Sequence, residues 1–184
     1  MEPPFHVWPE ESEEYKHHIA QGSRYRRAIE QLDDMTIDRV AVGDEESESI
    51  HRMEAVHSHS GRKFDRAWRD ARAGGDLMYE TRIKTEKHQM LYFVFMSNEK
   101  GRRTFDVQID GKTIDTVDLE AISSKVQSPL FHYLIPIPSN LTWGKNKVSV
   151  KLQAKRGHTV GGIWEIRVLD VDTKEKVPDV FKLL

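Results

Sequence analysis

The chain has 184 residues, with 28 Lys and Arg against 30 Asp and Glu, nine His and no Cys, for a formal net charge of −2. That length holds one domain with extensions, and the lack of cysteine excludes disulfide staples, zinc–thiolate sites, thiol nucleophiles and iron–sulfur ligation. The near-neutral balance lacks the basic excess of a broad nucleic-acid footprint, and no stretch reaches the roughly 18 uncharged apolar residues of a membrane span.

The opening Met1–Pro9 has neither the basic region nor the apolar run of a signal peptide. Residues 1–34 read as a polar arm or linker. Within it Tyr25, Ile29 and Leu32 fall at i, i+4 and i+7, the stripe of a short helix that Ser23 would cap. Three apolar positions hold such a helix only when it docks on something larger.

Residues 35–172 carry strand signals. Residues 36–42 alternate; Leu77, Tyr79 and Ile83 share one face; and 90–96 is a continuous apolar run, which suits a strand covered on both sides. A turn at Asn98–Gly101 leads to a strand at 104–109. Asp110-Gly111 then has the residues of a two-residue type I′ turn, with a returning strand at 113–119. Further strands are expected at 131–137, 147–154 and 162–170, the last two joined through Arg156-Gly157-His158. Roughly eight or nine short strands without long helices between them predict an all-β chain, an antiparallel β-sandwich of jelly-roll connectivity, with the short helical arm in front. Residues 173–184 form a tail that docks through Val177, Val180 and Phe181.

Phosphate-binding loops, nucleophile elbows and metalloprotease helices are missing. His57-x-His59 would project two rings from one side of a strand, as a zinc or copper pair or as a polar strand end, and His17-His18 reads as solvent-exposed. Asp44, Glu45, Glu46 and Glu48 present carboxylates to a calcium ion or line a solvated strand edge. Trp68-Arg69-Asp70, with Tyr79 further on, is the most distinctive string. An indole, a guanidinium and a carboxylate grip a sugar by stacking and hydrogen bonds. Alternatively they form an internal knot, with Arg69 paired to Asp70 or Glu48. Trp164, Arg167 and Arg103 carry the same ambiguity.

These motifs stand in a recognisable order. Arg26-Arg27 precedes Thr36-Ile37-Asp38-Arg39-Val40 and Gly43-Asp44-Glu45-x-Ser47-Glu48-x-x-His51. Trp68-Arg69-Asp70-Ala71 follows with Gly75 and Tyr79, then Arg103-x-Phe105-Asp106 with Asp110-Gly111. Tyr133-x-Ile135-Pro136 and Gly161-Gly162-Ile163 with Arg167 close the series. From about Arg26 to Leu169 the chain resembles the C-terminal β-sandwich domain of glycoside hydrolase family 127-type proteins, the β-L-arabinofuranosidase-like family. In that family catalysis belongs to a separate helical barrel with a zinc-bound cysteine nucleophile, and a chain without cysteine does not supply it.

The resemblance implies a non-catalytic accessory domain of a polysaccharide-degrading hydrolase, with a catalytic hydrolase domain as partner in cis or in trans. It also implies a periplasmic or cell-surface location for the parent protein. More distantly, the implied sandwich, galactose-binding-like in type, is similar to carbohydrate-binding modules of families 6 and 35. The implied ligand is plant cell-wall glycan, held by Trp68, Arg69, Asp70, Tyr79, Arg103 and Trp164. Those modules often hold a structural calcium between the first and last strands, which corresponds to Glu45 or Glu48 with Asp170. The alternative is a structural domain that packs on a barrel without a ligand of its own. A hydrolase acting through Glu45, Glu48, Asp70 and Asp106 is the third reading.

Overall fold

The computed structural model describes residues 12–171 and 176–183; the Met1–Pro9 reading, Glu10, Glu11 and Thr173 lie outside them. Nine strands are seen among these residues: β1 (Thr36–Ala41), β2 (Glu54–Lys63), β3 (Arg66–Arg82), β4 (Gln89–Met96), β5 (Thr104–Ile109), β6 (Lys112–Asp118), β7 (Leu130–Ile137), β8 (Lys147–Ala154) and β9 (Val160–Asp170). The helices are α1 (Glu13–Met35), α2 (Glu45–Ile50), α3 (Leu119–Ser123) and α4 (Ser139–Thr142), with a 3₁₀ turn at Val180–Leu183. No helix among the described residues is long and apolar enough to cross a membrane.

All strand pairs are antiparallel, in the order β6-β5-β8-β3-β9-β4-β7, with β1 added to β9 and β2 to β3. The 17-residue β3 belongs to both layers of the sandwich. Asp76–Arg82 pairs with β8 in the front layer, and Arg69 and Ala71 pair with β9 in the back layer. The crossing is a bulge. Val56 faces Asp76 but Ser58 faces Ala71, so residues 72–75 loop out, with Ala73 and Gly74 at positive φ. Gly75 is required there, since a Cβ would stand 2.1 Å from the Val56 carbonyl oxygen.

The period-2 alternation read from the sequence sorts side chains between the layers. Leu91, Phe93 and Phe95 of β4 meet Leu77 and Tyr79 of β3, Phe105 of β5, and Val150 and Leu152 of β8. Phe95 lies at the centre, 5.4 Å from Phe93, 5.9 Å from Phe105 and 6.0 Å from Phe131 between ring centroids. The β5–β6 hairpin closes through Asp110 (φ 48°) and Gly111 (φ 79°), both left-handed as a type I′ turn requires.

The run 90–96 is covered on both faces, as its continuous apolar character predicts. Tyr92 and Val94 point away from the core and pack with Trp164 and Leu169 under Leu32 and Met35 of α1 and under Val177. Two local expectations are corrected. Helix α1 starts at Glu13, so Ser23 lies inside it and caps nothing. The acidic run is a helix rather than a strand edge: the Asp44 carboxylate accepts the Ser47 N–H at 2.9 Å as N-cap of α2, and Glu45, Glu46 and Glu48 fill its first turn, where the helix dipole favours negative charge. The outer face of the front layer is a ladder of ion pairs, Lys147–Glu80, Lys151–Asp76 and Lys155–Asp106, which mark it as solvated.

Since Phe95 has aromatic neighbours on three sides, Phe95→Ala is expected to lower stability by about 3–5 kcal/mol in chemical denaturation.

Candidate functional site

The pleat of β3 divides the string Trp68-Arg69-Asp70 between two environments. Arg69 points into the sandwich, with Ala71 and Tyr79. Its Nε donates to Glu48 Oε1 at 2.8 Å and its Nη2 to Oε2 at 2.6 Å, a two-pronged pair. Tyr79 donates its hydroxyl hydrogen to Glu48 Oε1 at 3.2 Å, and the Gly43 N–H donates to the same oxygen at 2.8 Å. The Glu48 contact holds the Arg69 guanidinium above its ordinary range, and burial with the Glu48 charge pushes the Tyr79 phenol far up. Of the two pairings open for Arg69, the structure takes Glu48. Gly43 is forced by this knot: it has φ 81°, and a Cβ would stand 2.7 Å from the Trp68 carbonyl oxygen.

Trp68 and Asp70 point outward on the back layer. The Trp68 indole is half-buried, lies across Gly61 of β2, and stands 6.2 Å from the Trp164 ring and 5.5 Å from the His59 ring. His59, opposite Asp70 in the β2–β3 register, also brings Nδ1 to 4.0 Å from Asp70 Oδ1. Asp70 is 7% exposed and Trp164 2%, yet neither Asp70 Oδ1 nor Trp164 Nε1 has a hydrogen-bond partner among the described residues.

Beside them Glu99 folds back onto β9, where it accepts the Gly162 N–H at 2.9 Å and pairs with Arg103 at 3.4 Å. Gly161 and Gly162 make room for it, because a Cβ on Gly161 would stand 2.7 Å from its carboxylate. Burial raises the Glu99 carboxyl, with Asp70 adding to the effect and Arg103 and the Gly162 N–H opposing it. The outer face thus joins Trp68, Asp70, Arg103 and Trp164 and leaves Arg69, Tyr79 and Glu48 in the interior.

The structure keeps the other candidates apart. Glu45 is exposed on α2, whereas Asp170 ends β9 with Lys84 Nζ at 3.3 Å. Ala41, just before α2, pairs with Glu165, five positions from Asp170 and about 17 Å along an extended strand. Among the described residues no three His, Asp or Glu side chains gather around a common point as a metal would need. His57 has φ 53° at the bulge, which breaks the alternation that would align it with His59. Asp106 faces out from the front layer and Asp70 from the back, so these acids share no cleft.

Three features were not singled out in the sequence. Glu99 lay in an apparent turn, with Gly161-Gly162 as its only signal. Trp143, 69% exposed after α4, stood in a run of turn residues. Phe64, exposed at the β2–β3 tip with φ 53°, had no pattern around it.

A model of the family of unknown function DUF6805 matches residues 31–169. No curated protein matches the chain. Among solved structures it is similar to a family 35 carbohydrate binding module from Clostridium thermocellum, at 9% identity and TM-score 0.55 over 72% of this chain and 98% of that one. It is also similar to the carbohydrate binding module CBM6cm-2 from Cellvibrio mixtus lichenase 5A, solved with cellotriose, at 13% identity and TM-score 0.51 over 75% and 100%. At these identities the likeness is one of fold.

Two tests follow from the geometry. Glu48→Gln leaves Arg69 buried without its counter-charge, so a loss of about 3–5 kcal/mol in chemical denaturation at pH 7 is expected. The Glu99 carboxyl is raised in the folded state above its ordinary 4.5. Its contribution to stability is therefore fully present below pH 4.5 and is lost as pH rises through the folded value. Glu99→Gln should flatten that decline in a pH series of thermal melts, and an unchanged pH profile would contradict the burial argument.

Proposed function

The chain belongs to the family of unknown function DUF6805, and we propose that it is a non-catalytic, glycan-binding accessory domain of a polysaccharide-degrading hydrolase. The supporting observation is the outer face of the back layer. There Trp68 offers a half-exposed indole packed against Gly61, His59 and Trp164, with Asp70 two positions along β3 and the Arg103 guanidinium held on Glu99 over β9. An indole covers the apolar face of a sugar ring, and the flanking polar groups exchange hydrogen bonds with the hydroxyls. One stacking ring flanked by the largely buried Asp70 carboxylate and the partly exposed Arg103 amounts to weak binding, on the order of −4 to −6 kcal/mol, or millimolar to tens of micromolar. The two modules of like fold support the reading by analogy, and the resemblance of the ordered motifs to family 127-type proteins is the ground for a hydrolase parent exported to the periplasm or cell surface.

The packing-domain reading has its own support in Ile50, Val56 and Phe64, which are exposed and apolar. An aromatic platform on the outer face favours the glycan reading over it.

Calorimetric titration with arabinose- and galactose-containing oligosaccharides separates the two. Binding should fall by about tenfold or more in Trp68→Ala and stay unchanged in Trp143→Ala, whose ring lies outside the site. A flat wild-type titration across both sugar classes overturns the glycan reading and favours the packing domain.

A further inference from the structure

Strand β7 ends the sheet order, and β4 is the one strand it pairs with among the described residues. The ladder fixes which amides face outward. The Ser97 N–H donates to the Pro129 carbonyl oxygen at 2.9 Å, and the unbroken register repeats that hydrogen-bonded pair at every second residue. Phe131, Tyr133 and Ile135 therefore spend their backbone groups on β4. The N–H and C=O of Leu130, His132 and Leu134 point the other way, and no partner meets them among the described residues. Pro136, which has no N–H to give, falls in the same outward set, where the sheet loses nothing by it.

An open edge is a template for a further strand, and folded chains guard theirs with charged side chains, bulges or proline. Strand β2, which pairs with β3 alone, carries Arg62, Lys63 and the bulge at His57. From Leu130 to Ile137, β7 has no charged residue and no register shift, and Pro136 guards one end only. At the middle of the strand the Tyr133 hydroxyl donates to the Asp115 carboxylate of β6 at 3.1 Å, a side-chain bridge across the gap between two edge strands. Toward Leu130 the edge opens into a groove of about 950 Å³. Its walls come from both faces of the sheet. Ile122 and Val126 pack with the core, whereas Leu130 and Phe181 pack with the outer cluster beneath α1. The groove thus straddles the edge of the strand.

Its rim is basic. Lys125 is exposed and makes no ion pair among the described residues, and Lys182, 81% exposed, has Asp179 at 3.1 Å. Burial holds the His132 imidazole on the wall below its ordinary range, so it is neutral at pH 7. Two ammonium groups against one carboxylate leave the groove positive.

We propose that this groove docks an extended, acidic peptide segment of a partner protein as an added strand on β7. The segment's backbone pairs with the open groups of Leu130 and His132, since β6 closes in at Tyr133. Its alternate side chains are apolar and enter between Val126 and Phe181, and the acidic ones between them meet Lys125 and Lys182. Trp68 stands on β3, with β9 and β4 between it and β7, so the docked partner leaves the indole platform free.

The test follows the backbone amide NMR signals of the full chain during titration with an end-blocked peptide of three Glu-Val repeats. Saturable shifts centred on Leu130 and His132 are expected, with hydrogen exchange at those two amides slowed by about tenfold or more at saturation. A peptide of three Lys-Val repeats should bind about tenfold more weakly. Lys125→Glu, a change at an exposed side chain, should reverse that preference, and a thermal melt checks that the variant is folded. Versions of the acidic peptide N-methylated at Val or at Glu should bind unequally, because one edge of an added strand faces β7. Equal binding of the acidic and basic peptides, equal binding of the two methylated versions, or unmoved Leu130 and His132 amides at millimolar acidic peptide would each overturn the proposal. So would shifts at those amides on raising the chain concentration alone, with a dimer in sedimentation, because a second copy would then cover the edge. The oligosaccharide titration reads Trp68 and not these amides, so the docking proposal and the glycan reading can fail separately.

Discussion

Strands β4 and β9 run side by side in the middle of the back layer, and both of their faces are closed to solvent. Their inner face supplies half of the sandwich core. The outer face, with Tyr92, Val94, Trp164 and Leu169, would expose a broad apolar surface if nothing lay on it, and α1 with the C-terminal segment is what lies there. The position of the helix is thus a consequence of the strands. Leu32 and Met35 enter the apolar patch, and Asp33 between them meets Arg167. In the exposed first half of α1 the Gln21 side-chain N–H is given to the Leu183 carbonyl oxygen at 3.2 Å.

The same burial explains the cluster of Arg39, Arg66 and Arg167 around Glu165. Between β4 and β9 the register shifts from the Val94–Glu165 pair to the Phe95–Ile163 pair, so Trp164 is an extra residue and Glu165 follows it onto the outer face. A carboxylate brought into a covered apolar face costs several kcal/mol unless it is matched. Burial alone would raise the Glu165 carboxyl, yet Arg167 and Arg39 hold it below its ordinary range. Those arginines come from β9 itself and from its neighbour β1, and Arg66 comes from the start of β3. One bulge therefore assembles residues distant in sequence into a single polar cluster.

How far the sequence reaches depends on whether a feature is periodic or pairwise. The alternation of Val148, Val150 and Leu152, the continuous run 90–96 and the Asp110-Gly111 turn are local, and each predicts its element because backbone geometry acts over a few residues. Apart from the strand reading of His57-x-His59, β2 and the first half of β3 carry no strand signal. Their residues are polar on the outside, their inner faces meet a knot rather than an apolar core, and the bulge at 72–75 breaks the period. The candidate site was half legible. Trp68, Arg69 and Asp70 stand out by residue type, and alternation alone sends Arg69 to the side opposite its neighbours. That Glu48 receives Arg69, or that Glu99 returns to lie on Gly161-Gly162, is a matter of tertiary pairing across 21 and 63 residues respectively. No local pattern encodes such distances.

The two faces of β3 answer to different demands. Inside, the Glu48 carboxylate is saturated by Arg69, Tyr79 and the Gly43 N–H, and the knot fixes the loop before α2 against the backbone of Trp68. Outside, Asp70 Oδ1 next along β3 and Trp164 Nε1 on β9 are buried without a hydrogen-bond partner among the described residues, a state that costs about 1–3 kcal/mol for each group. A fold selected for stability alone would pair them or replace them with apolar residues. The strand is held rigidly from within, and under the proposed glycan reading that rigidity would serve a single-indole platform, since an already ordered ring loses little conformational entropy when a ligand meets it. On that reading the interior knot and the outer platform are one device. The knot leaves Trp68 few ways to move, and that restriction lets a half-buried side chain act as a fixed surface.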